Sequence, residues 1–292
     1  MELLMQQLIN GLSLGAIYAL IALGYTMVYG IAQLINFAHG DIIMVGSYLV
    51  LILLNQGIAL PIAIAVSIFG CVILGVVIEK IAYKPLRHAS RISLLITAIG
   101  VSYLLQNLCQ LIMGGANPMS FPTIITMAPI KLGPLTITGN MAITLGVSIV
   151  LMVALDQFVK KTKLGKAMRA TSEDSEAASL MGINVNKTIS ITFAIGSALA
   201  AIAGILWASN YPQIKPTMGS LPGIKAFIAA VIGGIGIIPG AVLGGFILGI
   251  VETFTKAYLS TQFADGLVFI ILILMLVFKP NGILGKNVKE KV

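Results

Sequence analysis

The sequence predicts an all-α polytopic membrane protein with about 8–9 transmembrane helices, some broken or re-entrant. Three observations predict it. Hydrophobic residues fill 58% of the 292 positions and charged residues only 10%, against about 25% charged in a soluble domain. The apolar residues fall in runs of about 20, the length that crosses a bilayer core. The basic residues gather between those runs instead of spreading along the chain, as the positive-inside bias requires.

Taken in order, the apolar spans lie at 9–30, 38–56, 60–82, 92–113, 140–159, 188–209, 223–237, 239–258 and 263–279. Met1-Glu2-Leu3-Leu4 carries no basic n-region, so the first span is expected to be retained rather than cleaved. Segment 114–138 holds four prolines and then strand-like alternation, which marks an extracytoplasmic loop with a small hairpin. Residues 210–222, with Pro212, Pro216 and Pro222, form a second loop of that kind. Residues 160–187 are expected to form the one sizeable cytoplasmic loop, and the whole of 1–292 a single transmembrane domain. Nine crossings place the N-terminus outside and the last basic cluster inside; eight follow if a short piece is re-entrant. The least regular stretches are 31–41 and 223–238, and the Gly-rich regions 30–46 and 223–249 share the character of an internal repeat.

Charge excludes several functions. The net charge is +8, but 14 of the 18 basic residues sit in three clusters. These are Lys80, Lys84, Arg87 and Arg91; then Lys160, Lys161, Lys163, Lys166, Arg169 and Lys187; then Lys279, Lys286, Lys289 and Lys291. That distribution sets topology and argues against a nucleic-acid partner; the chain's surroundings are lipid. No phosphate-binding G-x-x-x-x-G-K-[ST] occurs, because Gly165-Lys166 runs into Ala167 and Gly285-Lys286 fails likewise. No ladder of membrane carboxylates suits a proton-driven carrier, so active transport would need energy from another subunit. Cys71 and Cys109 lie in apolar spans and are expected to pack as small hydrophobes. No nucleophile–base pair or metal-ligand spacing is present, so neither catalytic residue, cofactor nor metal is expected.

The polar segment 160–182 has organised ends. Thr171 or Ser172 is expected to cap a helix with Glu173 and Asp174 in its first turn, and Gly182 to stop it. That predicts about three turns, roughly 15 Å. By itself such a helix is either a solvated connector or a grip for a soluble partner.

Within the spans, Gly236, Gly240 and Gly244, Gly245 and Gly249, Gly11 and Gly15, and Ala200 and Gly204 repeat every four residues, the spacing of close helix contacts. The run Gly233–Gly240 is either a broken helix lining the pathway or a plain interhelical bend. Asn36, His39 and Asp41 are costly beside apolar spans unless they face water, a partner helix or headgroups. A helix cap and interfacial anchor is the stronger reading there, and a gating role the other. Asn36, His39, Gly234 and Gly236 are the candidate pathway or gate residues. Glu252 and Lys256 can pair at i, i+4, Lys225 can snorkel toward an outer mouth, and Asp156 and Glu79 abut basic clusters that can pair with them.

Glu176-Ala177-Ala178, with Gly182 four residues on, resembles the EAA loop of ABC importer permeases, which docks on the ATPase. Gly24-Tyr25-Thr26-Met27-Val28-Tyr29-Gly30-Ile31 leading to Asn36-Phe37-Ala38-His39-Gly40 is similar to branched-chain amino acid permeases of the LivH type. So are Ala98-Ile99-Gly100 with Leu105-Gln106-Asn107, Met218-Gly219-Ser220 through Gly223-Ile224-Lys225-Ala226-Phe227, Ala230 through Gly236, and Lys279-Pro280-Asn281-Gly282-Ile283-Leu284-Gly285. The resemblance spans the chain. It implies a multi-pass permease subunit of the bacterial cytoplasmic membrane, serving a high-affinity importer for leucine, isoleucine and valine. It also implies four kinds of neighbour: a second permease subunit, two ATP-binding cassette subunits, an extracytoplasmic substrate-binding protein and membrane lipid. Glu176, Ala177, Ala178 and Gly182 would carry the coupling contact. The alternatives are the same importer class acting on urea, amides or other amino acids, and a stand-alone channel or secondary carrier; a membrane-embedded enzyme ranks last.

Overall fold

The structure, a computed structural model, describes residues 2–33, 36–87 and 89–285. Lys286, Lys289 and Lys291 of the third basic cluster lie outside the described residues. The fold is all-α, as the sequence predicts. The helices are α1 (Glu2–Ala32), α2 (His39–Asn55), α3 (Leu60–Ile78), α4 (Arg91–Met113), α5 (Gly139–Lys161), α6 (Lys163–Glu173), α7 (Ser175–Leu180), α8 (Val185–Asn210), α9 (Ser220–Gly233), α10 (Ile238–Tyr258) and α11 (Thr261–Phe278). α3 runs on through a π turn at Glu79–Tyr83 and a 3-10 turn at Lys84–Leu86.

Seven of these, counting α3 with its continuation, are long and apolar enough to cross a membrane among the described residues: α1, α3, α4, α5, α8, α10 and α11. The two others in the bilayer region, α2 and α9, have 17 and 14 residues. At 1.5 Å per residue they are about 26 and 21 Å long, short of a hydrocarbon core of about 30 Å. They are the spans predicted at 38–56 and 223–237, and each is preceded by non-helical chain, at 36–38 and 211–219. Their N-termini meet. A Cβ on Gly223 would lie 2.9 Å from Gly40 Cα, and one on Gly40 3.3 Å from Gly223 Cα. Only residues without side chains permit that approach.

α1 begins at Glu2, seven residues before the predicted span. Its first turns carry Gln6 and Asn10, one helical turn apart and hydrogen-bonded at 3.1 Å. Gln6 also donates to Thr136 O at 2.9 Å and accepts from Thr136 N at 3.0 Å. The extension is therefore a polar cap held by the 114–138 loop. There, strands β1 (Met119–Ser120), β2 (Ile130–Leu132) and β3 (Leu135–Ile137) precede β4 (Gln213–Ile214). β2 and β3 make the hairpin the alternation predicted, turning at Gly133 with φ +63°. β1 pairs with β4, which ties the 114–138 and 210–222 loops together at one end of the bundle.

The other end is basic. Arg87 donates to Asn186 Oδ1 at 2.6 Å and pairs with Glu79, which also accepts from Ser190 Oγ at 2.6 Å. These bonds fasten the turn after α3 to the start of α8, bringing the first two basic clusters to the same end. Asp156 pairs with Lys160 at 2.9 Å, so both acids expected to meet basic neighbours do so.

α1 is the central helix, buried from Gly11 to Val28 with the exception of the half-buried Leu12. Small residues let it be surrounded. A Cβ on Gly11 would sit 2.8 Å from Ile250 Cα, and one on Gly15 2.8 Å from Phe246 Cα. Gly245 faces Ala19 in return, so the four-residue glycine repeats of α1 and α10 form one antiparallel seam. Gly244 and Gly240 of α10 face Ala229 and Gly233 of α9, and Gly204 of α8 faces Ile43 of α2. α4 and α11 lie at the periphery and expose most of their apolar surface.

Gly15→Leu should destabilise the detergent-solubilised chain by about 1–3 kcal/mol, the usual cost of overpacking. Gly146→Leu, at a site with no heavy atom within 4 Å of an added Cβ, should leave the thermal midpoint nearly unchanged. Thermal unfolding followed by size-exclusion chromatography checks both.

Candidate coupling element and transport pathway

The polar loop folds as two helices instead of one. Thr162 starts α6 by accepting from Gly165 N at 3.0 Å, and the buried Gly165, Met168 and Thr171 fix this helix to the bundle. Thr171 and Ser172, expected to be caps, lie inside α6. The cap is Asp174, whose Oδ1 accepts from Glu176 N at 2.9 Å and Ala177 N at 3.0 Å. Its backbone is extended, so the chain bends between the helices. Burial of the preceding turn accompanies the shift: Met168 and Thr171 are packed against the bundle within α6, where neither is free to start a new helix.

α7 is six residues long, about 9 Å. Gly182 ends it as predicted, with φ +85°. Gly182 N donates to Ser179 O and Ile183 N to Ala178 O, both at 3.0 Å, the paired bonds of a Schellman stop. Of the residues assigned to coupling, Glu176, Ala177 and Gly182 are exposed, whereas Ala178 is buried and seats α7 on the body. Leu180 and Met181, absent from that set, are 89% and 83% exposed. Their signal was present in the sequence: two large apolar side chains next to the stop of an otherwise polar loop.

A cavity of about 1050 Å³ opens at the basic end, between α6 and the ends of five bundle helices. Arg169 and Glu173 of α6 line one side and Tyr29, Asp156 and Gly236 another. Gly234 and Gly236 make the turn between α9 and α10, with φ +109° and +90°. The chain after α11 braces this turn: Ile283 N donates to Ile232 O at 2.8 Å and Leu284 N to Gly233 O at 3.1 Å. The Gly233–Gly240 run is thus an interhelical bend at the basic end, not an interruption deep in the bilayer. Gly236 also packs against Gly30 and faces the cavity.

Asn36 and His39 are buried among helices, and no side chain caps α2, so the helix-cap part of that reading does not hold. Asn36 accepts from Tyr83 Oη at 2.8 Å, anchoring the chain that precedes α2. His39 lies against Gly24, with its ring 4.7 Å from that of Tyr25. Asp41 points elsewhere, accepting from Gln106 Nε2 at 2.8 Å.

Lys225 does not snorkel. It pairs with Glu252 at 2.7 Å and Asp265 at 2.6 Å, and its side chain is 7% exposed. Glu252 also meets Lys256 at 2.6 Å, the expected i, i+4 pair, and accepts from Tyr18 Oη at 2.8 Å. The cluster joins α1, α9, α10 and α11, and beside it a cavity of about 420 Å³ is lined by Asn10, Ser13, Asn210, Tyr211 and Lys256. Charges so placed are tolerable because each has a partner.

Glycine-seamed helices, two short helices meeting inside the bundle and an exposed helix with a firm stop at the basic end together define a polytopic permease. Residues 7–276 match the family described as the branched-chain amino acid transport system / permease component, and the chain belongs to it. It is 44% identical to the high-affinity branched-chain amino acid transport system permease protein LivH of Salmonella typhimurium, covering 99% of this chain and 97% of that one. BraD of Pseudomonas aeruginosa, a permease protein of the same description, is also 44% identical, over 99% and 98%. A probable branched-chain amino acid transport permease protein LivH from Methanocaldococcus jannaschii is 33% identical over 93% and 89%.

Lys225→Met leaves Asp265 without its cation and Glu252 with one fewer, and should cost about 3–5 kcal/mol. Lys160→Met breaks a largely exposed pair and should change stability by less than about 1 kcal/mol. Thermal midpoints of the two purified variants measure the contrast.

Proposed function

We propose that this chain is the permease subunit of an ATP-driven importer that moves leucine, isoleucine and valine across the cytoplasmic membrane by alternating access. The basic end faces the cytoplasm, in line with the positive-inside bias, and the loops 114–138 and 210–222 face outward. The observation that carries the mechanism is the exposed α7, held by the Asp174 cap and the Gly182 stop. An apolar pair at its end, Leu180 and Met181, suits a groove on a soluble ATPase, since side chains this exposed gain only by meeting a partner. Family membership supports the same reading and supplies the substrate class.

α6 transmits the motion. It is packed on α5, α8 and α1, with Gly165 against Phe158 and Val159 of α5, and across the large cavity it faces the α9–α10 turn at Gly236. A push on α7 therefore displaces α6 against helix ends, and the cavity gives them room to tilt. Glu176 and Ala177 add to the contact, while Ala178 keeps α7 attached. Two ATP-binding cassette subunits drive the push, a second permease subunit completes the pathway, and an extracytoplasmic binding protein delivers substrate. A stand-alone channel or carrier would have no use for two apolar side chains presented on a rigid stop.

The complex purified from its native membrane should contain ATPase subunits, and the Leu180→Asp, Met181→Asp double variant should lose them while keeping its own thermal midpoint. Gly182→Pro removes the N–H that bonds Ser179 O and forbids positive φ, so ATP-driven leucine uptake should fall at least tenfold with membrane insertion intact. A chain that purifies alone and transports without ATP would overturn the importer reading. Urea competing with leucine uptake better than isoleucine or valine do would overturn the substrate.

A further inference from the structure

Where α2 and α9 meet, a cavity of about 440 Å³ lies between α1, α2, α4 and α9. Its polar corner holds Asp41 in the first turn of α2, with Gln106 and Ser102 of α4 and Ser220 at the start of α9. Gln106 Nε2 lies 2.8 Å from Asp41 Oδ1 and 3.2 Å from both Ser102 Oγ and Ser220 Oγ, so one amide ties three helices together. The rest of the lining is largely apolar, with Phe37, Leu95, Ile99 and Ile224. Counted along α4, Gln106 is about 22 Å from the basic end and about 10 Å from the other, well inside the bilayer.

Asp41 differs from the other buried acids described above. Glu79 has Arg87, and Glu252 has Lys225 and Lys256. Asp41, 1% exposed, has no ion-pair partner among the described residues. A carboxylate at this depth with amide and hydroxyl neighbours but no cation is a functional group by default. The cavity opens beside Leu95, Ile99 and Tyr103, which are 41%, 42% and 63% exposed. A mouth leading from a carboxylate into lipid is untenable, so this face is covered by protein or water, as a second permease subunit would provide.

Resting on the importer reading above, we propose that Asp41 receives the α-ammonium group of the amino acid in mid-membrane, with the aliphatic side chain against Phe37, Ile99 and Ile224. The volume suits a molecule of leucine's size. The missing cation is then the substrate's own. Gln106 holds the carboxylate in place, and the convergence of helix N-termini at Gly40 and Gly219 offsets its charge between arrivals. Amides without an ammonium, urea among them, can donate a hydrogen bond to Asp41 but bring no positive charge to it.

The test is uptake of radiolabelled leucine by the complete importer in proteoliposomes. Asp41→Asn keeps an oxygen for Gln106 to bond, removes the charge and replaces the other oxygen by an NH2 group. It should assemble with its partner subunits and lower leucine uptake at least tenfold; Asp41→Glu should recover part of it. Wild-type uptake by Asp41→Asn would overturn the proposal, showing that the residue only accepts a hydrogen bond. Should Asp41→Asn fail to assemble, Ile99→Trp on the open wall decides: a greater loss of leucine than of alanine uptake supports the site, and equal losses overturn it. If the wild-type importer itself takes up no leucine with ATP, the importer reading falls, which is a distinct result.

Discussion

Close approach of helix backbones at glycine is the contact on which the rest of this structure depends. In hydrocarbon, apolar side chains gain nothing by leaving lipid for one another, so helices associate through tight packing. Gly11 and Gly15 of α1 meet α10, Gly245 of α10 meets Ala19, and Gly244 meets α9. This seam fixes α1 as the axis of the bundle. It also holds α9 where its first residues can touch α2, because Gly40, Gly219 and Gly223 leave no side chains at that junction. A junction of two helix starts inside the membrane provides polar backbone and positive dipole ends at a depth where water does not.

The two proposed sites lie at different distances from the basic end and are joined by that packing. At the basic end, α6 and α7 form an exposed element whose inner face is locked to α5 and α8. Deeper, α9 runs from the Ser220 corner of the Asp41 pocket to the glycine turn beside the large cavity. One helix therefore touches both regions, with Lys225 pinned to Glu252 and Asp265 between them. Such a helix suits transmission by rigid displacement. Its ends pack on glycines, and its middle is held by ion pairs.

How much of this was legible in the sequence varied with the range of the interaction. Hydropathy, basic clusters, prolines and alternation gave the helical class, the separation of the proline-rich loops from the basic clusters, and the hairpin, since each depends on what a segment prefers in water or lipid. Gly182 was legible as a stop because a left-handed residue after a short polar helix favours glycine whatever surrounds it. The start of that helix was misplaced, because buried Met168 and Thr171 carried α6 on to Glu173 and left capping to Asp174. Lys225 was expected to reach for water, but an acid from α10 and another from α11 came within bonding distance. Asn36 and His39 were readable as a helix cap only while their partners Tyr83 and Gly24 were unseen. Leu180 and Met181 were visible in the sequence, but they lie just past the Glu-Ala-Ala triplet that carries the family likeness, and only their exposure marks them out.

The sequence by itself determined that this chain crosses a lipid bilayer many times, which end is basic, that it carries no phosphate-binding loop of its own and to which permeases it is related. Those properties follow from composition, local periodicity and motif, which act within a few helical turns. Only the tertiary structure decided that the Gly233–Gly240 run is a bend braced by the chain after α11, that Lys225 is buried in an ion cluster, and that Asp41 faces a cavity without a cation among the described residues. Each depends on which helix lies beside which. In a membrane that choice is made by small residues meeting across the fold, whose partners lie as much as some 240 positions apart along the chain, as in Gly11 and Ile250.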